Sequence, residues 1–134
     1  MMTVEEIVDN FSYLDDWEDK YRYLIELGEG LPPFPEALKV EANKVDGCMS
    51  QVWLYPSKEG EVYHFAADSD AMIVKGLIAV ILAAYSGKTA DEIQKVDIDG
   101  IFKTLGLDMN LSPTRRNGFF AMVEKIKSIA SSIV

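Results

Sequence analysis

The chain has one cysteine and one histidine among its 134 residues. A single thiol cannot form an intrachain disulfide, which fits a reducing compartment; the cytoplasm is the expected location. A structural zinc site or an iron–sulfur cluster normally takes three or four Cys or His ligands, so this chain alone is not expected to hold either, and no cofactor or metal of its own is expected. Basic residues are scarce as well: 13 Lys and Arg stand against 22 Asp and Glu, a formal net charge of −9. Nucleic-acid affinity comes largely from Lys and Arg neutralising phosphates, and anionic membrane surfaces attract the same residues, so neither is an expected partner. The acidity keeps a protein dispersed in water and also suits a partner with a basic patch. Long apolar runs are missing too. The longest uncharged one, residues 77–85, falls well short of the ~20 residues a membrane span needs and reads as a buried helix. The acidic, amphipathic N-terminus has no signal-peptide pattern.

What is present is enough apolar residue, 49%, for one domain spanning residues 1–134. Thr3 and Glu6 have capping-box spacing for a helix to about Tyr13. Asp15 or Asp16 opens a second helix, whose face carries Trp17, Tyr21, Leu24 and Ile25, and Gly28 is expected to end it in a left-handed conformation. Pro32, Pro33 and Pro35 exclude a helix interior or central strand over residues 30–35, and a short turn follows at 35–39. Residues 52–55 and 62–65 are β-rich, with a turn at 56–60, and predict a hairpin with a third strand near 40–45. Ser69 or Asp70 caps a central helix over about 71–85, closed by Gly87. Thr89 and Glu92 form another capping box, a short helix covers about 98–105 before Gly106, and Ser112-Pro113 opens the last helix. Its apolar face is Phe119, Met122, Val123, Ile126, Ala130 and Ile133. Helices, strands, then helices predict an α+β fold: a small antiparallel sheet of about three strands packed with helices.

Three places can carry chemistry. Cys48 follows the turn signal Asp46-Gly47 and precedes the first strand, a position where loops present reactive groups. It is either a reactive thiol or a small buried hydrophobe. Asp46 would raise its pKa and Lys44 would lower it. Arg115 and Arg116 stand in the first turn of the last helix, where cations oppose the helix dipole; they either hold an anion there or pair with surface acids. His64 invites a Cys–His hydrolase reading, but no neighbouring motif supports it, and a strand residue with a satisfied hydrogen bond is the plainer alternative. Trp17, Trp53 and the tyrosines read as core or half-buried residues.

The stretch VDGCMSQVW, residues 45–53, resembles the signature of the SufE-type sulfur acceptors, which include the CsdE proteins. Three further blocks agree in order and spacing: YRYLIELGEGLP at 21–32, DSDAMIVKGL at 68–77 and LSPTRRNG at 111–118. The likeness runs over residues 4–130; Asn110 departs from it, standing where many relatives carry histidine. The resemblance implies an α+β fold like that of the IscU-type scaffold proteins, without their metal ligands. It implies a covalent carrier rather than an enzyme: a cysteine desulfurase of the SufS or CsdA type, which owns the pyridoxal phosphate, passes persulfide sulfur to Cys48. The carrier thereby stimulates the desulfurase and delivers sulfur to an iron–sulfur scaffold of the SufBCD type. By the same resemblance Arg115 stabilises the thiolate or persulfide or contacts the partner, and Asp70 caps the central helix or helps docking near the cysteine loop.

A carrier must shield a reactive sulfur and then present it, so a mobile loop over 46–50 is expected, with Cys48 tucked against apolar side chains when free. The alternatives are a non-covalent adaptor, a Cys48–His64 hydrolase, and a scaffold that borrows ligands from another subunit.

Overall fold

A computed structural model describes residues 2–131 of the chain. Helix α1, Val4–Phe11, starts at the expected capping box: the Thr3 hydroxyl accepts from the Glu6 amide at 3.1 Å, and the Glu6 carboxylate accepts from the Thr3 amide at 3.0 Å. Helix α2, Trp17–Glu29, is capped by Asp16, whose carboxylate accepts from the Asp19 amide at 2.9 Å.

Gly28 does not end α2. It lies inside the helix, and Gly30 is the C-terminal cap with φ −84°, on the right-handed side. The reason is packing. A Cβ on Gly28 would stand 2.7 Å from the Gly76 amide nitrogen, so the glycine is there to let a neighbouring helix pass. The proline stretch leads into two 3₁₀ turns, Glu36–Leu38 and Glu41–Asn43.

The hairpin is longer and tighter than expected. Strand β1 is Val52–Glu59 and strand β2 is Val62–Ser69, with Glu59 opposite Val62 and only Gly60-Glu61 between them. Gly60 has φ +62°, as a tight two-residue connection demands. Pro56 is therefore a strand residue, opposite Phe65. It is tolerated because β1 is an edge strand.

The third strand, β3, is Lys88–Thr89 on the other side of β2, giving the order β1-β2-β3, antiparallel throughout. Residues 40–45 supply only one isolated bridge, Lys44 to Trp53. The 3₁₀ turn at Glu41–Asn43 keeps them from extending further.

Helix α3, Met72–Tyr85, has ten of its fourteen residues buried, which makes it the centre of the molecule. The alternating inward residues of β2 (Tyr63, Phe65, Ala67) cover one side of it, and α2 crosses another. Its N-cap is Ala71, without a side-chain cap. Ser69 bonds nearby instead, its hydroxyl accepting from the Ala71 amide at 3.2 Å.

Helix α4, Ala90–Lys95, begins at the Thr89/Glu92 capping box, and α5, Ile98–Thr104, at Asp97. Gly106, at φ +72°, then opens a four-residue helix, α6, Leu107–Asn110, that no periodicity announced. Helix α7 is described over Pro113–Ser131 and buries Phe119, Met122, Val123, Ile126 and Ala130; Ile133 lies outside the described residues. None of the helices among the described residues is long and apolar enough to cross a membrane.

Candidate functional site

The loop over residues 46–51 is pinned at both feet. The Val45 amide donates to the Val52 carbonyl at 2.9 Å. At the far foot the Gln51 amide donates to the Asp70 carboxylate at 3.1 Å, and the Asp70 amide donates back to the Gln51 carbonyl at 3.3 Å. Between the feet, Gly47 has φ +90°, a conformation that resists any side chain. This turn drops Cys48 toward α7.

Cys48 is half-buried. Its thiol donates to the carbonyl oxygen of Gly118 across 3.6 Å, linking the loop to the second turn of α7. The thiol sits in a small, mostly apolar cleft with a cavity volume of about 30 Å³. Loop residues, Val74 and Leu77 of α3, and Thr114, Arg115, Phe119 and Met122 of α7 line it. Burial pushes the thiol pKa up, and the neighbouring Asp46 carboxylate adds to the rise. Lys44 is committed elsewhere, to Glu41 at 2.9 Å. The tucked position expected for the free state is the one observed.

Arg115 reaches the rim of this cleft. Its guanidinium carbon lies 5.9 Å from the centre of the Tyr21 ring, and no carboxylate pairs with it among the described residues. Arg116 is structural: it donates to the Asp108 carbonyl at 2.8 Å and ties α7 to α6. Asp70 does not cap α3; its carboxylate holds the cysteine loop.

Each of the four sequence blocks thus meets two of the others: Cys48 with Gly118, Gln51 with Asp70, Tyr21 with Arg115, and Gly28 with Gly76. A domain model described as Fe-S metabolism associated, SufE, matches residues 5–130. The chain belongs to the SufE family.

Relatives within SufE agree. A SufE-like protein of Rhizobium meliloti is 47% identical over 134 residues, 97% of this chain and 96% of its own length. The sulfur acceptor protein CsdE of Escherichia coli is 44% identical over 126 residues, 93% of this chain and 86% of its own. The solution structure of a hypothetical protein from Thermus thermophilus superposes with a TM-score of 0.73, covering 95% of this chain and 94% of that one; at 20% identity the likeness is one of fold.

Within the SufE site, His64 takes no part. It is exposed on β2, opposite Ser57, lies 3.6 Å from Glu59, and is not among the residues lining the cysteine cleft. Trp53 of the signature is a core residue, 8% exposed, with the Lys39 ammonium 5.3 Å from its ring centre. Among the described residues no group of three or more His, Cys, Asp or Glu could hold a metal ion. Two residues of the site escaped the sequence reading. Gly118 ends the LSPTRRNG block, and a glycine inside a long helix was its one local signal. Gln51 acts through its backbone and left no signal.

Proposed function

We propose that Cys48 is a sulfur acceptor: it takes the terminal sulfur of a persulfide held by a cysteine desulfurase, and passes it on for iron–sulfur cluster assembly. The observation that carries this reading is the seat of the chain's one thiol, on a pinned loop, half-covered by an apolar cleft, in a SufE-family protein. The sulfur acceptor name of the Escherichia coli relative supports it.

The chemistry is that of thiol–disulfide exchange. The Cys48 thiol loses its proton to solvent or to a base of the partner. The thiolate attacks the outer sulfur of the donor persulfide; a sulfur–sulfur bond forms at Cys48, the donor's sulfur–sulfur bond breaks, and the donor cysteine leaves as thiolate. No net oxidant is needed, since one persulfide is exchanged for another. Clearing the donor cysteine frees it for another turnover, which is how the carrier stimulates its desulfurase. Pyridoxal phosphate stays with that enzyme, and the carrier needs no cofactor of its own.

Arg115, at the cleft rim and without a carboxylate partner among the described residues, contacts the desulfurase or the anionic sulfur once the loop opens. Asp70 sets the far foot of the loop and, being exposed, can also face the partner. The expected partners are a SufS- or CsdA-type desulfurase and, downstream, a SufBCD-type scaffold, working in the cytoplasm.

Incubation with a pyridoxal phosphate-dependent cysteine desulfurase and cysteine should add ~32 Da, one sulfur atom, to the Cys48 peptide. Cys48→Ser should abolish both the mass gain and the stimulation. Full stimulation by Cys48→Ser would instead indicate a non-covalent adaptor.

A further inference from the structure

We propose that Gly118 is the positioning residue of the Cys48 thiol: its small size leaves the seat open, and its carbonyl oxygen holds the sulfur in the protonated state until the loop swings out. This rests on Cys48 being the reacting thiol, but neither the geometry nor the test depends on a desulfurase.

The space argument comes first. A Cβ on Gly118 would lie 3.6 Å from the Cys48 sulfur, 3.9 Å from its Cβ and 4.0 Å from its Cα, with no closer neighbour. Cys48 is therefore the nearest residue that packs on α7 at this position. A methyl group would just touch the sulfur. Any longer side chain would compete for the sulfur's own place. Glycine is the poorest helix former after proline, yet it stands buried in the second turn of a nineteen-residue helix. A small residue at this place admits a side chain from seventy residues away in sequence.

The polarity argument is independent. A carbonyl oxygen can accept from a thiol S–H but repels a thiolate. At 3.6 Å the Gly118 oxygen is the thiol's hydrogen-bond partner, and the rest of the cleft is mostly apolar. The charged groups facing the sulfur are Asp46 on its own loop, which also disfavours the anion, and Arg115 on α7, which turns to the Tyr21 ring. Asp70 is engaged with the Gln51 amide. The closed loop thus stores an unreactive thiol. The nucleophilic anion forms when Cys48 leaves the Gly118 carbonyl and its proton passes to water. Storage and reactivity are separated by one loop movement.

The test is the pH profile of Cys48 alkylation by iodoacetamide, followed by intact mass over roughly pH 6 to 10, for wild type, Gly118→Ala and Gly118→Leu. Gly118→Ala should keep the wild-type profile, because its methyl fits in ordinary contact. Gly118→Leu should expel the thiol. Its alkylation near neutral pH should then rise roughly tenfold, and its midpoint should move down toward that of an ordinary cysteine. A folded Gly118→Leu protein with the wild-type rate and midpoint overturns the proposal. If Gly118→Leu does not fold, the carbonyl ¹³C resonance of Gly118 in wild type decides. It should titrate together with Cys48; a resonance that stays flat through the Cys48 transition overturns the proposal equally. No desulfurase enters either measurement, so a failure here is distinct from a failure of the sulfur-acceptor reading.

Discussion

Gln51 and Asp70 hold each other twice: the Gln51 amide donates to the Asp70 carboxylate, and the Asp70 amide donates to the Gln51 carbonyl. The pair lies at the open end of the hairpin, one step beyond the Val52–Ser69 rung. It fixes where the cysteine loop ends. Asp70→Ala removes the side-chain half of the pair and leaves the backbone half. The expected cost is about 1 kcal/mol, the usual net worth of such a bond. Hydrogen exchange at Gln51 should speed up, as should exchange at the loop amides before it, with the core of α3 unchanged. Asp70→Asn keeps an acceptor and should lose less. Unchanged exchange at Gln51 in Asp70→Ala would show that the backbone bond suffices.

Arg115 is poised rather than engaged. Its guanidinium lies over the Tyr21 ring, on a half-exposed surface where such a contact is worth about 0.5 kcal/mol. The rise in the Cys48 pKa comes from burial and Asp46. Arg115→Ala should therefore leave free-state alkylation of Cys48 as it is, while slowing sulfur uptake from a desulfurase roughly tenfold, about 1.4 kcal/mol. Arg115→Lys keeps the charge but not the flat guanidinium, and should recover only part. A change in free-state alkylation would place the guanidinium against the sulfur already in the closed loop.

Much of this is legible in the sequence. Capping boxes at Thr3 and Thr89 work through residues three apart, so they read correctly from sequence. The same holds for Ser112-Pro113, where the Ser112 hydroxyl accepts from the Arg115 amide at 3.3 Å. Cys48 stood out through its turn signal and its resemblance block. The errors came where local chemistry is ambiguous and a distant partner decides. Gly28 could end a helix or admit another one, and only Gly76 settles which. Pro56 looked like a turn residue because nothing local says that β1 is an edge strand. A two-residue strand such as Lys88–Thr89 is too short to show a period. Asp70 looked like a cap since its loop partner is nineteen residues away.

The Gly28–Gly76 crossing is open to a direct check. A Cβ on Gly76 would collide with the Leu24 carbonyl oxygen and stand 2.6 Å from the Leu24 carbonyl carbon. The obstacle is backbone, which cannot rotate away, so α2 would have to lift off α3. Gly76→Ala should cost about 3 kcal/mol or more in urea unfolding, despite the better helix propensity of alanine. Gly30→Ala is the control: its φ is right-handed, and its nearest neighbour would be 3.4 Å away. That variant should be neutral or slightly stabilising, by about 0.5 kcal/mol. Equal losses in the two variants would remove the crossing as the explanation.

Tyr85 gives the chain a stability term with a definite pH signature. Its ring is fully buried at the end of α3, and its hydroxyl has no hydrogen-bond partner among the described residues. Burial, with Glu124 and Asp99 adding to it, pushes its pKa from 10 up to about 12. Below pH 10 the phenol is neutral in folded and unfolded chains alike, and its contribution is intact. Above that point the unfolded chain ionises while the folded one keeps its proton. Stability therefore falls as pH rises toward the folded value, by on the order of 3 kcal/mol in all. Tyr85→Phe removes the titration. At neutral pH the variant should equal wild type or exceed it slightly, since a buried hydroxyl without a partner is lost. In urea unfolding at rising pH, its advantage should widen between pH 10 and about 12. A difference that stays constant over that interval would mean that the hydroxyl reaches solvent in the folded chain, and that its ionisation opposes nothing.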